Sequence, residues 1–204
     1  MSRKSIFTIS QIEKTDSTSA EIKRRMDGLE NFTVISAFEQ TEGRGQGDHV
    51  WHSRPGENLT FSIYIKYDSD TRLKASEQQI LTKAASLSVT DFLNSEFSIV
   101  AGIKKPNDIY VGGEKICGML IENGLQEEHM RWSIVGMGIN VNQNDFPADI
   151  PNPVSISRLT GRRYDTGKCL ESFLRYFAVR YDAIWSDRCS LDTGYEEKII
   201  SLKR

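Results

Sequence analysis

Alternating glycines surround an arginine at residues 43–47, in the order Gly43, Arg44, Gly45, Gln46 and Gly47. Glycines leave backbone N–H groups open to a ligand, and a guanidinium beside them suits a carboxylate or a phosphate. The spacing matches neither the dinucleotide-binding fingerprint nor the phosphate-binding P-loop. The segment is therefore a candidate anion-binding loop, and a flexible surface loop is the alternative.

Two β-type runs flank Gly112 and Gly113 and predict a β-hairpin with a two-residue turn. Counting outward from the turn predicts four cross-strand pairs: Val111 with Glu114, Tyr110 with Lys115, Ile109 with Ile116, and Asp108 with Cys117. The same register predicts four side chains on one face: Asp108, Tyr110, Lys115 and Cys117. Asp108 and Lys115 are then diagonal neighbours, about 7–8 Å apart at the backbone, so both can address one bound molecule. An exposed ion pair without a ligand is the alternative.

Glycines also interrupt an apolar run at Gly136 and Gly138. Inside a strand, glycine costs packing and backbone entropy unless another group must approach closely. A flat ligand ring and a tightly packed helix are the two explanations that the sequence leaves open.

Hydrophobic periodicity predicts the elements that must position these residues. Strands are predicted over residues 6–12, 32–38, 59–65, 99–103, 109–111, 114–122 and 132–141, and helices after Asp16 and over 77–94 and 166–185. Thr18 and Glu21 have the spacing of a capping box, and the alternation at 59–65 predicts one core face. The polar segment 39–57 predicts a long loop that is functional or disordered. Together these elements predict one α+β domain with a mixed, largely antiparallel sheet.

The composition is that of an ordinary globular protein. The 204 residues are 38% hydrophobic and 26% charged, enough for one full-sized domain. A net charge of −2 argues against attraction of the whole surface to DNA or to anionic membranes. Three cysteines without a C-x-x-C pair favour a reducing compartment, and we expect a cytoplasmic protein. No apolar run approaches the roughly 20 residues of a membrane span, so we expect no membrane partner.

Six segments, in this order along the chain, resemble the catalytic domain of biotin protein ligases, also called biotin–[acetyl-CoA carboxylase] ligases. They are Asp16-Ser17-Thr18, QTEGRGQG at residues 40–47, Trp51, KKPNDIY at 104–110, KICGMLIE at 115–122 and GMGINVN at 136–142. The resemblance implies a sheet related to that of class II aminoacyl-tRNA synthetases. It also implies a two-step reaction. Biotin and MgATP form biotinyl-5′-adenylate and pyrophosphate, and a lysine of the biotin carboxyl carrier protein then attacks the mixed anhydride.

The resemblance also implies roles for individual residues. The catalytic residues would be Lys115, Arg44 and Asp108, with Asp108 near the attacking amine. Biotin would be bound by Ser17, Thr18, Gln40, Gly43, Arg44, Trp51, Lys115 and Gly118. ATP would be bound by Arg44, Gly45, Gln46, Asn107, Lys115, Gly136, Gly138 and Asn140. No residue is assigned to a metal, because Mg²⁺ is expected to accompany ATP.

Three positions depart from the family's pattern. Ser19 replaces a usual Asn, Lys105 replaces a usual Trp, and Gln46 stands where Arg is frequent. The change at Lys105 puts a packing contact beside the biotin tail in doubt. Gln46 leaves the loop with one cation fewer, which predicts weaker electrostatic retention of the adenylate.

The resemblance covers most of the chain and implies one catalytic domain over residues 1–204. We expect no N-terminal helix-turn-helix, hence no nucleic-acid partner, and no complete C-terminal β-domain. The oligomeric state is not fixed by the sequence, and a homodimer stays open. Three alternatives remain: a lipoate ligase or octanoyl transferase of the same fold, a module that binds biotin or its adenylate without ligation, and a more distant nucleic-acid-binding role for the Arg-Gly loop.

Overall fold

A seven-stranded sheet forms the centre of the computed structural model, which describes residues 6–47, 49–68, 71 and 73–201. The strands are β1 (Thr8–Thr15), β2 (Thr33–Gln40), β3 (Leu59–Lys66), β4 (Gly102–Lys104), β5 (Asp108–Val111), β6 (Glu114–Gln126) and β7 (His129–Ile139). They lie in the order β1-β2-β3-β7-β6-β5-β4. Strands β1 and β2 run parallel, and the other neighbouring strands run antiparallel. The predicted α+β class with a mixed, largely antiparallel sheet is confirmed.

Helices cover both faces of this sheet. They are α1 (Thr18–Arg25), α2 (Gln79–Phe97), α3 (Ile156–Thr160), α4 (Thr166–Ser186) and α5 (Arg188–Glu197). On one face α2 and α4 pack over the main core, where the rings of Phe61 and Phe173 lie 5.4 Å apart between centroids. On the other face α1 places Ile22 against Ile35, Tyr64 and Ile134. Among the described residues, no helix is both long and apolar enough to cross a lipid bilayer.

Strand β3 is buried on both faces, so the predicted single core face at 59–65 is wrong. The polar face lies under α1, where Thr60, Ser62 and Tyr64 are all buried. The Thr60 hydroxyl donates to the Ala37 carbonyl at 2.9 Å. Because such hydrogen bonds satisfy the buried hydroxyls, a face that reads as solvent-exposed in the sequence can pack against a helix.

The first helix begins at Thr18, with Ser17 as its N-cap residue and no side-chain cap. The predicted capping box of Thr18 and Glu21 is therefore wrong. The Glu21 carboxylate pairs with Arg24 and Arg25 one turn later instead. The Thr18 hydroxyl is used elsewhere, in contacts described below.

A bulge alters the predicted register of the β5–β6 hairpin. The turn forms as expected, since Gly112 and Gly113 both have positive φ, and Tyr110 pairs with Lys115. Beyond that pair the register shifts, and Ile109 pairs with Cys117. The predicted pairs Ile109 with Ile116 and Asp108 with Cys117 are wrong. Cys117 therefore does not share the face of Lys115 but is fully buried in the core.

The remaining predicted elements form with shifted ends. The helix predicted at 166–185 is α4, and its N-cap Asp165 accepts a hydrogen bond from the Lys168 N–H at 3.0 Å. The sequence did not predict helices α3 and α5. Helix α3 has only one turn, and helix α5 carries few apolar residues around Gly194. A cap signal for α5 was present, since Asp187 accepts from the Ser190 N–H at 3.1 Å.

Candidate active site

A cavity of about 270 Å³ opens beside the middle of strands β6 and β7. Its walls come from the start of α1, from residues 44–46 and 49–51, from residues 104–108 before and at the start of β5, and from the central strands. Most of the predicted site residues line it: Ser17, Thr18, Gln40, Arg44, Gly45, Gln46, Trp51, Asn107, Asp108, Lys115, Gly118, Gly136 and Gly138. Segments far apart in the sequence therefore meet in one place, as a single site requires.

The cavity wall is strongly cationic. Of the described residues that line it, four are lysines or arginines: Arg44, Lys104, Lys105 and Lys115. One carboxylate, that of Asp108, faces them. Fixed cations of this number in a cleft attract and hold anions, so the site suits a ligand with carboxylate or phosphate groups.

The glycine-rich loop is folded back on itself. The Gly45 N–H donates to the His49 carbonyl at 2.7 Å, and the Trp51 N–H donates to the Gly43 carbonyl at 2.9 Å. Arg44 and Val50 form an isolated antiparallel bridge. These bonds give a narrow hairpin within the segment predicted only as a long loop, and they hold Arg44 at the rim of the cavity.

Arg44 is held by an acidic partner from the sheet. Its guanidinium lies 3.4 Å from the Glu122 carboxylate, which also pairs with Lys23 of α1 at 2.6 Å. Glu122 thus links the loop to the helix beneath it. Because the pair with Arg44 is long and half exposed, it costs little to exchange for an anionic ligand.

Lys115 points into the same cavity from β6. Its ammonium lies 2.7 Å from the Asp108 carboxylate, and both side chains are roughly two-thirds buried. Because Tyr110 pairs with Lys115 as predicted, Asp108 and Lys115 are diagonal neighbours, and their side chains reach each other. Arg44 and Lys115 therefore both line one cavity, as the predicted mechanism requires.

The indole of Trp51 lies flat against two glycines that pair across β6 and β7, Gly118 and Gly138. A Cβ at Gly138 would lie 2.1 Å from Cε2 of Trp51, and one at Gly118 would lie 3.1 Å from Cζ3. The indole Nε1 is buried and has no hydrogen-bond partner within the described part of the chain. The flat ring that Gly138 accommodates is thus the indole of Trp51.

Gly136 accommodates a tightly packed helix, which is the second explanation that the sequence left open. A Cβ there would lie 2.7 Å from the Ser19 hydroxyl of α1, so the glycine permits close packing of helix on sheet. Gly136 also lines the cavity, and the two roles are compatible.

A polar cluster closes the α1 end of the cavity. Gln40 Oε1 accepts from the Thr18 N–H at 3.0 Å and from its hydroxyl at 3.3 Å. The Thr18 hydroxyl also lies 2.7 Å from that of Ser62, which in turn lies 2.9 Å from that of Ser19. The side-chain amide nitrogen of Gln40 faces Gly43, where a Cβ would lie only 2.7 Å from it. This cluster offers oriented donors and acceptors to a polar ring.

Two asparagines predicted at the nucleotide site have structural partners. Asn107 lines the cavity, and its amide donates to the Met119 carbonyl at 2.6 Å. Asn140 lies outside the lining. It is buried and donates to the Val154 carbonyl at 3.0 Å and the Lys115 carbonyl at 3.4 Å. Gly43 also lies outside the lining. Asn140 therefore contacts the cavity wall through Lys115, and Gly43 contacts it through Gln40.

Sequence reasoning missed Ser62 and Glu122, which lie behind the lining and contact Thr18 and Arg44 of the site. The signal for Ser62 was a polar residue in the middle of an apolar strand. Glu122 is the last residue of the KICGMLIE segment, and no local pattern indicated that it would pair with Arg44. Within the described ranges, no group of three or more His, Cys, Asp and Glu side chains has an arrangement that could hold a metal ion.

Comparison with known proteins gives a family match. Residues 9–140 match the model of the biotin/lipoate A/B protein ligase family. The chain is 36% identical over 152 residues to the bifunctional ligase/repressor BirA of Bacillus subtilis, covering 73% of this chain and 46% of that protein. It is 29% identical over 173 residues to the biotin–[acetyl-CoA-carboxylase] ligase of Paracoccus denitrificans, covering 82% and 70%.

A solved structure matches over almost the whole chain. It is the biotin protein ligase from Aquifex aeolicus in complex with biotin and ATP, with a TM-score of 0.80 and 27% identity. The match covers 96% of this chain and 79% of that one. The chain spans less than half the length of the Bacillus subtilis relative.

Proposed function

The chain belongs to the biotin/lipoate A/B protein ligase family, and on that premise we propose that it activates biotin with ATP and transfers it to a protein lysine. The observation that carries the proposal is the position of Arg44 and Lys115, which enter one cavity from a loop and from a strand. The acceptor we propose is the carrier protein of acetyl-CoA carboxylase, by likeness to the named Paracoccus relative.

In the first step a carboxylate oxygen of biotin attacks the α-phosphorus of ATP. The bond from that phosphorus to the bridging oxygen breaks, and pyrophosphate leaves. Two anions must approach, so the cations of Arg44 and Lys115 stabilise the charge that develops. One such preorganised donor typically contributes about 3–4 kcal/mol to the transition state. Mg²⁺ bound with the nucleotide would supply further positive charge for the leaving pyrophosphate.

In the second step the neutral amine of the acceptor lysine attacks the acyl carbon of biotinyl-adenylate. An amide bond forms, the acyl–oxygen bond breaks, and AMP leaves. Asp108 is placed to orient the amine and to accept its proton. Because Asp108 already contacts Lys115, the base proposed for the second step lies beside a cation proposed for the first.

Substrate contacts are proposed at the two ends of the cavity. Ser17, Thr18 and Gln40 would bind the ureido ring of biotin, with Trp51 and Gly118 against its apolar part. Gly45, Gln46 and Asn107 would contact the nucleotide. Gly138 can do so only when the Trp51 indole leaves its surface, since that ring occupies the space next to the glycine.

The test is pyrophosphate exchange into ATP with biotin, lipoate or octanoate, followed by the mass of an apo carrier protein. We expect exchange with biotin alone and a biotinylated carrier. Exchange with lipoate alone would assign the chain to the other branch of the family. Exchange without a mass shift would leave an adenylating module that does not ligate. Lys115→Gln should abolish exchange, while Lys83→Gln, which removes a lysine paired to Asp192 at the same 2.7 Å, should not.

A further inference from the structure

Helix α5 contacts the segment that carries Asn107 and Asp108. Tyr195 of this helix is buried, and its hydroxyl donates to the Pro106 carbonyl at 2.6 Å. Proline has no N–H, so its carbonyl is the one backbone group through which the segment can be tied at this residue. The hydrogen bond therefore fixes the chain immediately before Asn107.

Neighbouring contacts hold the same segment to the C-terminal part of the described chain. The Ile103 N–H donates to the Lys198 carbonyl at 2.7 Å, and the Ile200 N–H donates to the Ile103 carbonyl at 2.9 Å. The Lys105 ammonium lies 3.2 Å from the Glu196 carboxylate. The backbone bonds anchor β4, and they leave Tyr195 as the buried contact at the tip of the segment.

Besides the pairing of Asp108 with Lys104 in the sheet, three attachments hold the residues around Asp108. Asn107 ties the segment to β6 through the Met119 carbonyl, Asp108 pairs with Lys115, and Pro106 is held by α5. The first two involve side chains that ligands and substrates would also contact. Of these three, the bond from Tyr195 is the one that acts from outside the cavity, because Tyr195 does not line it.

We propose that Tyr195 is a positioning residue for the transfer step, which holds the Pro106 carbonyl so that Asp108 faces the incoming amine. The expected effect on the transfer rate rests on the proposed function. The expected effect on the position of residues 106–108 rests on the geometry alone. Lys115 stands on β6, and Asn107 keeps its own hydrogen bond to the Met119 carbonyl of that strand, so adenylate formation depends on Tyr195 less than transfer does.

The experiment compares Tyr195→Phe with Tyr67→Phe. Each variant keeps the ring and removes one hydroxyl hydrogen bond, since the Tyr67 hydroxyl lies 2.9 Å from that of Ser133 outside the cavity. Hydrogen exchange at the amides of Asn107 and Asp108 should become at least fivefold faster in Tyr195→Phe and stay unchanged in Tyr67→Phe. Transfer from purified biotinyl-adenylate to the carrier should fall about five- to tenfold, the effect of one lost hydrogen bond. Adenylate formation should change less than twofold.

If amide hydrogen exchange at residues 107–108 is unchanged in Tyr195→Phe, the proposal is overturned, whatever the enzymatic activity of the protein. Equal losses of both steps, or equal effects of the two variants, would also overturn it and indicate a general loss of stability. If the wild-type chain is inactive but amide hydrogen exchange is faster in Tyr195→Phe, the proposed function is rejected. The positioning of Pro106 by Tyr195 is then still supported.

Discussion

The Lys115 ammonium lies 2.7 Å from the Asp108 carboxylate across a bulged pair of strands. In a regular hairpin the two residues would be diagonal neighbours, about 7–8 Å apart at the backbone. The pairing of Tyr110 with Lys115 keeps that relation, and the two side chains reach each other to form a direct ion pair at the wall of the cavity. A cation for the first proposed step and a base for the second are therefore held by the same contact.

Asp108→Asn should separate the two steps. The amide keeps the size of the side chain but cannot accept a proton, so transfer from biotinyl-adenylate should fall by at least tenfold. Pyrophosphate exchange should keep most of its rate, because Lys115 and Arg44 remain. Asp192→Asn, which removes the partner of Lys83, is the control for loss of an ion pair. Full biotinylation of the carrier by Asp108→Asn would remove the residue from the mechanism.

Gln46→Arg should retain the intermediate longer. Gln46 lines the cavity beside Arg44, and a second guanidinium there adds attraction for the adenylate phosphate. Since this rim is exposed and screened, we expect release of biotinyl-adenylate to slow by about two- to fivefold. The control is Gln126→Arg, which adds the same charge at the exposed end of β6. Equal release rates in wild type and Gln46→Arg would refute the electrostatic account.

Gly138→Ala should displace the Trp51 indole. The new methyl group would lie 2.1 Å from the ring, and the strand that carries it is paired on both sides. We expect the indole N–H resonance of Trp51 to shift and stability to fall by about 1–3 kcal/mol. Gly28→Ala, where a Cβ meets nothing within 4 Å, should change stability by less than about 0.5 kcal/mol. A Trp51 resonance that stays in place in Gly138→Ala would contradict the observed packing.

Acid should weaken the start of α1 through Asp16. Hydrogen bonds from Arg24, from the Ser17 N–H and from the Thr15 hydroxyl hold the pKa of the Asp16 carboxyl well below its ordinary value. A depressed pKa in the folded state stabilises the protein above the unfolded pKa, and this contribution is lost as the pH falls below about 4. The free energy of unfolding of wild type should therefore exceed that of Asp16→Asn at pH 6, and the difference should shrink between pH 4 and pH 2.

Added salt should reduce the same difference at pH 6, because Arg24 and Asp16 are partly exposed. A difference between the two proteins that does not change from pH 6 to pH 2 would show that the Asp16 charge does not stabilise the fold.

Local patterns in the sequence determined most of the elements and the chemistry of the loop and the hairpin. The period-two alternation in β3, the glycine pair at 112–113 and the apolar stripe of α4 each report contacts within a few residues. Such signals depend on side chains that neighbour each other in the element itself, and so they can be read before the fold is known. The motif residues likewise predicted which side chains would gather, and most of them do line one cavity.

Tertiary structure alone decided how those residues meet. The bulge at Ile109 and Tyr110 places Cys117 in the core. The Trp51 indole lies against Gly138, where the sequence left open a ligand ring or a packed helix. Glu122 contacts Arg44, which lies 78 residues away in the sequence, and Tyr195 contacts Pro106, which lies 89 residues away. These contacts depend on the packing of whole elements against one another, and no periodicity in the sequence records which distant partner a side chain will reach.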